Sequence, residues 1–174
     1  MTMASDNDKL RTAFIHGMAR CGSGVSVVTT AGRGGTHGVT VSAMTSLSAD
    51  MPRPTLLVCI HHKTPAATAI KKNGVFAVNL LKSSQSALSD MFAGRTHTHA
   101  TSHAKFAEAT WREAVTGSPM LAECLVAFDC TLYQRTRVGT HYVFIGAVEA
   151  IDNPNEGDPL VYAQRSYGRF EKTS

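Results

Sequence analysis

A series of short β-branched and apolar runs, not separated by helices of regular length, most constrains how this chain can fold. Such runs occupy residues 25–30, 55–60 and 75–81, and they predict buried strands. A doubly wound parallel sheet would need a helix of roughly 10–15 residues between successive strands. The intervening segments hold glycine turns or short helices instead. The pattern therefore favours a mainly β fold, an antiparallel barrel that is closed or half-closed with small helices over its ends.

The remaining elements follow from the same reading. Short helices are predicted over residues 9–21, 64–72 and 83–92. Further extended segments are predicted over residues 38–48, 122–135, 141–151 and 160–164. The two long strands would pair through the loop that contains Gly139. A length of 174 residues fits one domain, which we assign to residues 9–174, with residues 1–8 as a flexible N-terminal tail.

Composition excludes several classes of protein. The 17 basic and 13 acidic residues give a charge of +4, but the basic residues are dispersed, which argues against a nucleic-acid partner. No apolar run reaches the roughly 18–20 residues of a membrane span. The polar N-terminus lacks the features of a secretory signal. Four cysteines among apolar neighbours indicate buried thiols in a reducing compartment, and we expect a cytoplasmic protein.

Searches for familiar catalytic motifs are negative. The sequence has no P-loop and no G-x-S-x-G elbow, and its glycine turn at residues 32–37 fails the dinucleotide fingerprint. His97, His99 and His103 lack a nearby carboxylate or cysteine, so no metal site is predicted there. His61 and His62 are adjacent, and on a strand they would face opposite ways.

The segment at residues 38–48 carries five hydroxyl side chains and no charge. One interpretation is an edge strand with a hydroxylated outer face, although the consecutive Thr45 and Ser46 interrupt the alternation. The other is a segment that leaves its ladder, where exposed backbone N–H groups beside hydroxyls form a cradle for phosphate oxygens. The residues alone leave both interpretations open.

This segment, Gly-Val-Thr-Val-Ser-Ala-Met-Thr-Ser-Leu-Ser, resembles the flavin-binding segment of the flavin reductase-like, FMN-binding split-barrel family. The likeness continues along nearly the whole chain, at residues 25–30, 76–81, 92–95, 105–106, 111, 117–121, 139–146 and 159–162. The resemblance implies an antiparallel Greek-key split β-barrel with short flanking helices. Family members pair with their flavin sites near the interface, so it also implies a homodimer.

Site residues follow from the resemblance, position by position. It implies an isoalloxazine-lining group of Thr40, Ser42, Ala43 and Met44. It implies a group near the ribityl chain and phosphate of Ser46, Leu47, Ser48, Lys63 and Thr64. A group along the phosphate or adenosine end would be Phe92, Ala93, Gly94 and Arg95. His141 would contact the nicotinamide as the catalytic residue, and Tyr167 would help to cover it.

Some of these assignments have plain alternatives. Where family members often have Asp between Gly and His, this chain has Thr140. If that acid normally orients the histidine, His141 could instead be a hairpin residue that stabilises its own turn. Lys63 and Arg95 could supply charge to a phosphate, or they could be ordinary surface cations.

The resemblance implies an NAD(P)H-dependent flavin reductase that transfers hydride to FAD or FMN, from NADH in preference to NADPH. Reduced flavin would diffuse to a separate oxygenase component that acts on an aromatic compound, as in two-component aromatic monooxygenases. Hydride chemistry belongs to the cofactors, which agrees with the lack of a visible nucleophile–base pair. The motif would contact the ring and the first phosphate, which FAD and FMN share, so it does not distinguish the two flavins. The alternative function is a non-enzymatic flavin-binding protein of the same fold.

Overall fold

The computed structural model describes residues 5–96, 101–152 and 156–173. The described helices are α1 Asp6–Met18, α2 Pro65–Asn73, α3 Ser86–Phe92 and α4 Ser102–Ala107. The first six strands are β1 Ser23–Gly24, β2 Ser26–Thr30, β3 His37–Val41, β4 Met44–Ser48, β5 Thr55–His61 and β6 Val75–Leu80. The other six are β7 Trp111–Glu113, β8 Pro119–Leu121, β9 Val126–Val138, β10 His141–Asp152, β11 Leu160–Ala163 and β12 Ser166–Arg169.

Seven strands form the main sheet, in the order β3-β2-β6-β9-β10-β5-β4. Every neighbouring pair in it is antiparallel. A three-stranded sheet, β1-β11-β12, and the β7-β8 pair complete the strands. The mainly β, antiparallel architecture predicted from the sequence is therefore confirmed, as is the pairing of the two long strands around Gly139.

The core lies against the main sheet and is closed at one end by α2. Phe76 and Phe144 are fully buried there with Ile60 and with Ile70 of α2. A Cβ on Gly146 would lie 2.5 Å from the ring of Phe76, so glycine is required where β10 crosses this ring. Burial of such large apolar side chains stabilises the fold by roughly 1.5–3 kcal/mol each.

The two edges of the main sheet, β3 and β4, are consecutive in the chain. Only Ser42 and Ala43 separate them, and the carbonyl of Ala43 accepts a hydrogen bond from Cys59 N–H at 3.0 Å. The prediction of one extended segment over residues 38–48 is thus wrong in detail. The chain leaves its ladder at Ser42–Ala43, whereas Thr45 and Ser46 lie within β4.

Helix α1 begins earlier than predicted, because Ser5 and Asp8 form a capping box at its N-terminus. Residues 6–8 therefore belong to the helix with Ser5 as its N-cap, and residues 1–4 of the predicted flexible tail lie outside the described residues. The predicted apolar face of this helix is exposed, with Leu10 and Phe14 more than three-fifths accessible. Five elements were not predicted, and each spans only two to six residues: β1, α4, β7, β8 and β12.

The cysteines form no disulfide within the described part of the chain. Burial raises the pKa of Cys124 to about 11 and that of Cys130 to about 12. Cys59 is half-buried and Cys21 is exposed, so the prediction of four buried thiols holds for two of them. Among the described helices, none has both the length and the apolar character that a membrane span requires.

Candidate active site

A cavity of about 590 Å³ opens where β3, β5 and β10 meet, and we name it the main cavity. Its lining residues are Val39, Thr40, Val41, Ser42, Ala43, Cys59, Ile60, His61, Thr64, Val138, His141 and Val143. The structure therefore brings together Thr40, Ser42 and Ala43 with Thr64 and His141, five of the predicted site residues. The register places His61 directly opposite His141 on β10, which carries both rings to the cavity.

Three histidines form a contact chain beside this cavity. The rings of His61 and His62 stack with centroids 5.0 Å apart, and His61 meets His141 edge-on at 5.2 Å. The prediction that His61 and His62 face opposite ways is wrong, because β5 ends at His61 and His62 belongs to the following turn. Lys63 N–H donates to Nδ1 of His61 at 3.3 Å, which leaves the proton of the neutral ring on Nε2.

Thr140 holds the His141 ring. Its hydroxyl oxygen lies 3.0 Å from Nδ1 of His141. A hydroxyl can donate or accept, so it can hold either neutral tautomer of the ring. The absence of an Asp at this position therefore does not leave His141 without an orienting partner.

The surroundings of His62 are basic. Desolvation and the positive charges of Arg137, His61, Lys63 and His141 lower the pKa of His62 below its usual value. The backbone N–H of His62 donates to the carbonyl of Thr140 at 2.9 Å, which fixes the end of β5 against the β9–β10 hairpin. This end of the molecule presents an excess of positive charge.

A second, small cavity of about 110 Å³ shares Thr40, Val41 and Ser42 with the main cavity and is also lined by Tyr162 and Tyr167. We name it the tyrosine cavity. The Thr40 hydroxyl is already engaged here, because it donates to the carbonyl of Ser89 at 2.7 Å. Tyr167, predicted to cover the nicotinamide, lies in this cavity and not in the lining of the main cavity.

Arg95 also lines the tyrosine cavity, where its half-exposed side chain contacts residues of its own chain. Its guanidinium lies over the rings of Tyr162 and Tyr167, with 5.3 Å and 5.8 Å to their centroids. It also pairs with Asp90 at 3.4 Å. The hydrogen bond to Tyr162 and the nearby negative charge raise the pKa of Arg95, so groups of the same chain stabilise its positive charge.

The other predicted residues fall in two further places. Phe92, Ala93 and Gly94 line a cavity of about 320 Å³ together with Thr64 and Lys105. The Phe92 ring itself is buried against Phe106 and Trp111. This cavity shares Val39 and Thr64 with the main cavity.

The residues of β4 face a separate space. Met44, Ser46, Leu47 and Ser48 line a cavity of about 410 Å³ with Phe128, Val148 and Ile151, which we name the β4 cavity. The structure thus does not bring Ser46, Leu47 and Ser48 together with Thr64, and Lys63 is exposed beside the histidines. The physical reason is the corner at Ser42–Ala43, which carries the chain to the opposite edge of the sheet.

Sequence reasoning missed seven of the lining residues, which are Val39, Val41, Cys59, Ile60, His61, Val138 and Val143. The signal was present in part, since alternate residues of a strand share a face and Cys59 and His61 are two apart. The strand register that places them opposite Val143 and His141 could not be read from either strand alone. Among the described residues, no three or more His, Cys, Asp or Glu side chains are grouped so that they could hold a metal ion. His97 and His99 lie outside the described residues.

Comparisons with known proteins show the family to which the chain belongs. The model of the flavin reductase like domain matches residues 18–171. The curated FMN reductase (NADH) RutF 1 of Methylorubrum extorquens strain PA1 is 41% identical over 161 residues, covering 92% of this chain and 77% of that protein.

Two solved structures extend the comparison. A crystal structure from Haemophilus somnus 129PT superposes with a TM-score of 0.83 at 40% identity, covering 91% of this chain and 98% of that one. The styrene monooxygenase flavin reductase of Pseudomonas putida S12 has a TM-score of 0.78 at 25% identity, with 92% and 99% covered. With the family model matched over most of its length, the chain belongs to the flavin reductase like domain family.

Proposed function

We propose that this protein is an NADH-dependent flavin reductase that takes FMN or FAD. The observation that carries the proposal is the main cavity, in which the uncharged Thr40–Ala43 wall faces His141. The 41% identical relative named FMN reductase (NADH) supports it. When bound, the nicotinamide supplies the hydride and the flavin accepts it, so the protein must mainly position two rings and exclude competing reactions.

The residues of the main cavity fit such a ring system. A volume of about 590 Å³ lies within the roughly 300–1,000 Å³ typical of small-molecule sites. Valines 39, 41 and 143 provide apolar walls, while Ser42 and Thr64 provide polar groups. We propose that Thr40, Ser42, Ala43 and Thr64 hold the flavin in this cavity.

His141 is the residue that we propose to contact the dihydronicotinamide. Its ring is held by Thr140 at 3.0 Å and borders His61 at 5.2 Å. A non-enzymatic flavin-binding protein was the alternative, and it depended on the altered Gly139-Thr140-His141 turn. Because Thr140 supplies the contact that an acid would make, we favour the reductase.

The wider setting is part of the proposal. We propose that the main sheet curls into the split barrel of the family, that the protein is a cytoplasmic homodimer, and that reduced flavin leaves for a separate oxygenase. A structural relative is the flavin reductase of styrene monooxygenase, which supports an oxygenase partner that acts on an aromatic compound.

The decisive test is steady-state oxidation of NADH and NADPH by the purified protein, with FMN, FAD and riboflavin in turn. We expect NADH oxidation that depends on added flavin, with NADPH the poorer donor. Inactivity with every flavin and both donors would sink the proposed function. Flavin binding without any turnover would instead support the non-enzymatic alternative.

Two variants probe the site assignment. His141→Ala should raise the KM for NADH more than the KM for flavin, whereas equal effects on both would indicate a role in folding. Ser46→Glu tests whether the flavin phosphate reaches β4. If it does, the added carboxylate repels the phosphate and weakens flavin binding, and an unchanged affinity would remove the β4 residues from the flavin site.

A further inference from the structure

Basic side chains gather where the end of β5 meets the β9–β10 hairpin, next to the main cavity but outside every residue assigned to the flavin. They are His62 and Arg137, which we name the cationic rim, with Lys63 as their neighbour. The backbone neighbours of these two residues, Val138 and His61, line the main cavity, whereas the side chains of Arg137 and His62 lie outside its lining.

Two hydrogen bonds build the rim on the hairpin turn. The backbone N–H of His62 donates to the carbonyl of Thr140 at 2.9 Å, and Nε of Arg137 donates to the carbonyl of Gly139 at 3.1 Å. Both residues are therefore fixed to adjacent positions of one turn. The bond from Arg137 uses Nε, and guanidinium N–H pairs are suited to two-pronged contacts with phosphate oxygens.

Ring contacts connect the rim to the cavity. His62 stacks on His61 at 5.0 Å, and His61 meets His141 at 5.2 Å. A ligand whose ring lies beside His141 could thus extend along the histidines to the rim. The reduced nicotinamide dinucleotide has this shape, with an uncharged ring at one end and a pyrophosphate further along.

The positive charge at the rim is not neutralised by the protein. The charged and titratable groups that act on His62 are all basic, from β5 and its turn (His61, Lys63) and from the hairpin (Arg137, His141). Within the described residues, the ion pairs involve Lys9, Arg53, Arg95, Arg112 and Arg169. Neither Arg137 nor Lys63 has an acidic partner among them.

From this placement we infer that His62 and Arg137 bind the pyrophosphate of the nicotinamide dinucleotide while its ring enters the main cavity. The inference rests on the proposed function and adds a site for the donor's phosphates. It also selects Arg137 among the described arginines, because its side chain bonds to the turn that precedes His141. Arg33 and Arg135, by contrast, donate to the carbonyls of Lys72 and Lys71.

The test measures binding directly, with ADP-ribose as the probe, because it carries the pyrophosphate but lacks the nicotinamide. Isothermal titration would compare the wild type with Arg137→Gln and His62→Gln. At about pH 7, loss of the charge-assisted contact in Arg137→Gln should weaken ADP-ribose binding by about tenfold or more. His62→Gln should weaken it by about fivefold, because the lowered pKa of His62 leaves its ring uncharged at this pH and its contact an ordinary hydrogen bond. The control is Arg135→Gln, which removes the same charge from the same strand and should change the affinity by less than about twofold.

A second arm asks which phosphate is recognised. FMN and riboflavin affinities should be the same in Arg137→Gln as in the wild type. The KM for NADH should rise in Arg137→Gln, while the KM for 1-benzyl-1,4-dihydronicotinamide, which has no phosphate, should not change. A fall in FMN affinity without loss of ADP-ribose binding would assign the rim to the flavin phosphate and overturn the inference.

The inference and the proposed function can fail separately. If the wild type oxidises NADH but ADP-ribose binds equally to the wild type and to all three variants, the rim is not a phosphate site. If ADP-ribose binding depends on the rim but no flavin is reduced, the rim stands and the reductase proposal fails. Circular dichroism of each variant would confirm that it is folded.

Discussion

Two arginines near the candidate site, Arg95 and Arg137, have opposite surroundings. Arg95 lies over two tyrosine rings and pairs with Asp90. Arg137 donates to one backbone carbonyl, and its positive charge helps to lower the pKa of His62. The first arginine completes its contacts within the fold, whereas the second leaves its charge unbalanced.

The difference indicates what each cluster does. A cation with its own acid and aromatic partners contributes mainly to folding, and here it ties α3 to the β11–β12 hairpin. A cation held among like charges makes the folded state less stable unless an anion binds. The tyrosine cavity is therefore expected to respond to mutation through stability, and the histidine end through ligand affinity.

Tyr167→Phe should give the largest loss of stability. The Tyr167 hydroxyl donates to Asp90 at 2.8 Å and contacts buried Ser89 at 2.9 Å. Its removal leaves those groups short of a partner and should lower the free energy of unfolding by about 2 kcal/mol. Urea unfolding would measure this, with Tyr133→Phe, at an exposed position of β9, as the control. Equal stability of the two variants would contradict the folding role.

Thr140→Val should act through the ligand instead. It keeps the shape of the side chain but loses the hydroxyl that holds His141. A hydrogen bond of roughly 1 kcal/mol corresponds to about a fivefold loss in kcat/KM for NADH. Thr140→Ser retains the hydroxyl and should behave nearly as the wild type. If Thr140→Val and Thr140→Ser have the same kcat/KM, the hydroxyl does not orient the ring.

Replacing each arginine by glutamine compares the two clusters directly. Arg95→Gln loses a half-exposed ion pair and two cation–π contacts, and should lower the free energy of unfolding by about 1 kcal/mol. Arg137→Gln should change it by less than about 0.5 kcal/mol in either direction. Paired urea titrations would measure both values, and a larger loss in Arg137→Gln would reverse the comparison.

The smallest expected effect is a dependence of stability on pH. Because the pKa of His62 in the folded protein lies below its usual 6.5, protonation is less favourable in the folded state than in the unfolded one. The resulting destabilisation is absent above pH 6.5 and grows as the pH falls through the lowered pKa. Between about pH 8 and pH 5, the Tm of His62→Gln should therefore fall less than that of the wild type. Equal decreases would contradict the shift.

Local patterns predicted much of the fold. The strand at residues 25–30 and the helix that begins after Thr64 follow from β-branched runs and from capping chemistry, which neighbouring residues determine. The β9–β10 hairpin followed from two long apolar segments around Gly139. The corner at Ser42–Ala43 could not be predicted in this way, because the identity of these two residues does not indicate that β3 and β4 lie at opposite edges of one sheet.

The candidate site was predicted less completely, for the same reason. Thr40, Ser42, Ala43 and His141 line one cavity, and the roles that the resemblance implies for them stay predictions. The partners of Arg95 could not be predicted from local sequence, since Tyr162 and Tyr167 lie 67 and 72 residues away in the chain. His61 was missed because its importance depends on the register with β10, which only the folded sheet defines.

The corner between β3 and β4 sets a length limit on the wall of the main cavity. Consecutive Cα atoms are about 3.8 Å apart, so the last residue of β3 and the first of β4 can be separated by no more than about 11 Å. The distance between β3 and β4 at this point is thus limited by the two-residue connection, which we call the tether, as well as by side-chain packing. One extra residue inserted after Ser42 would lengthen that tether by a third, so the size of the ligand that fits depends on the length of the chain here.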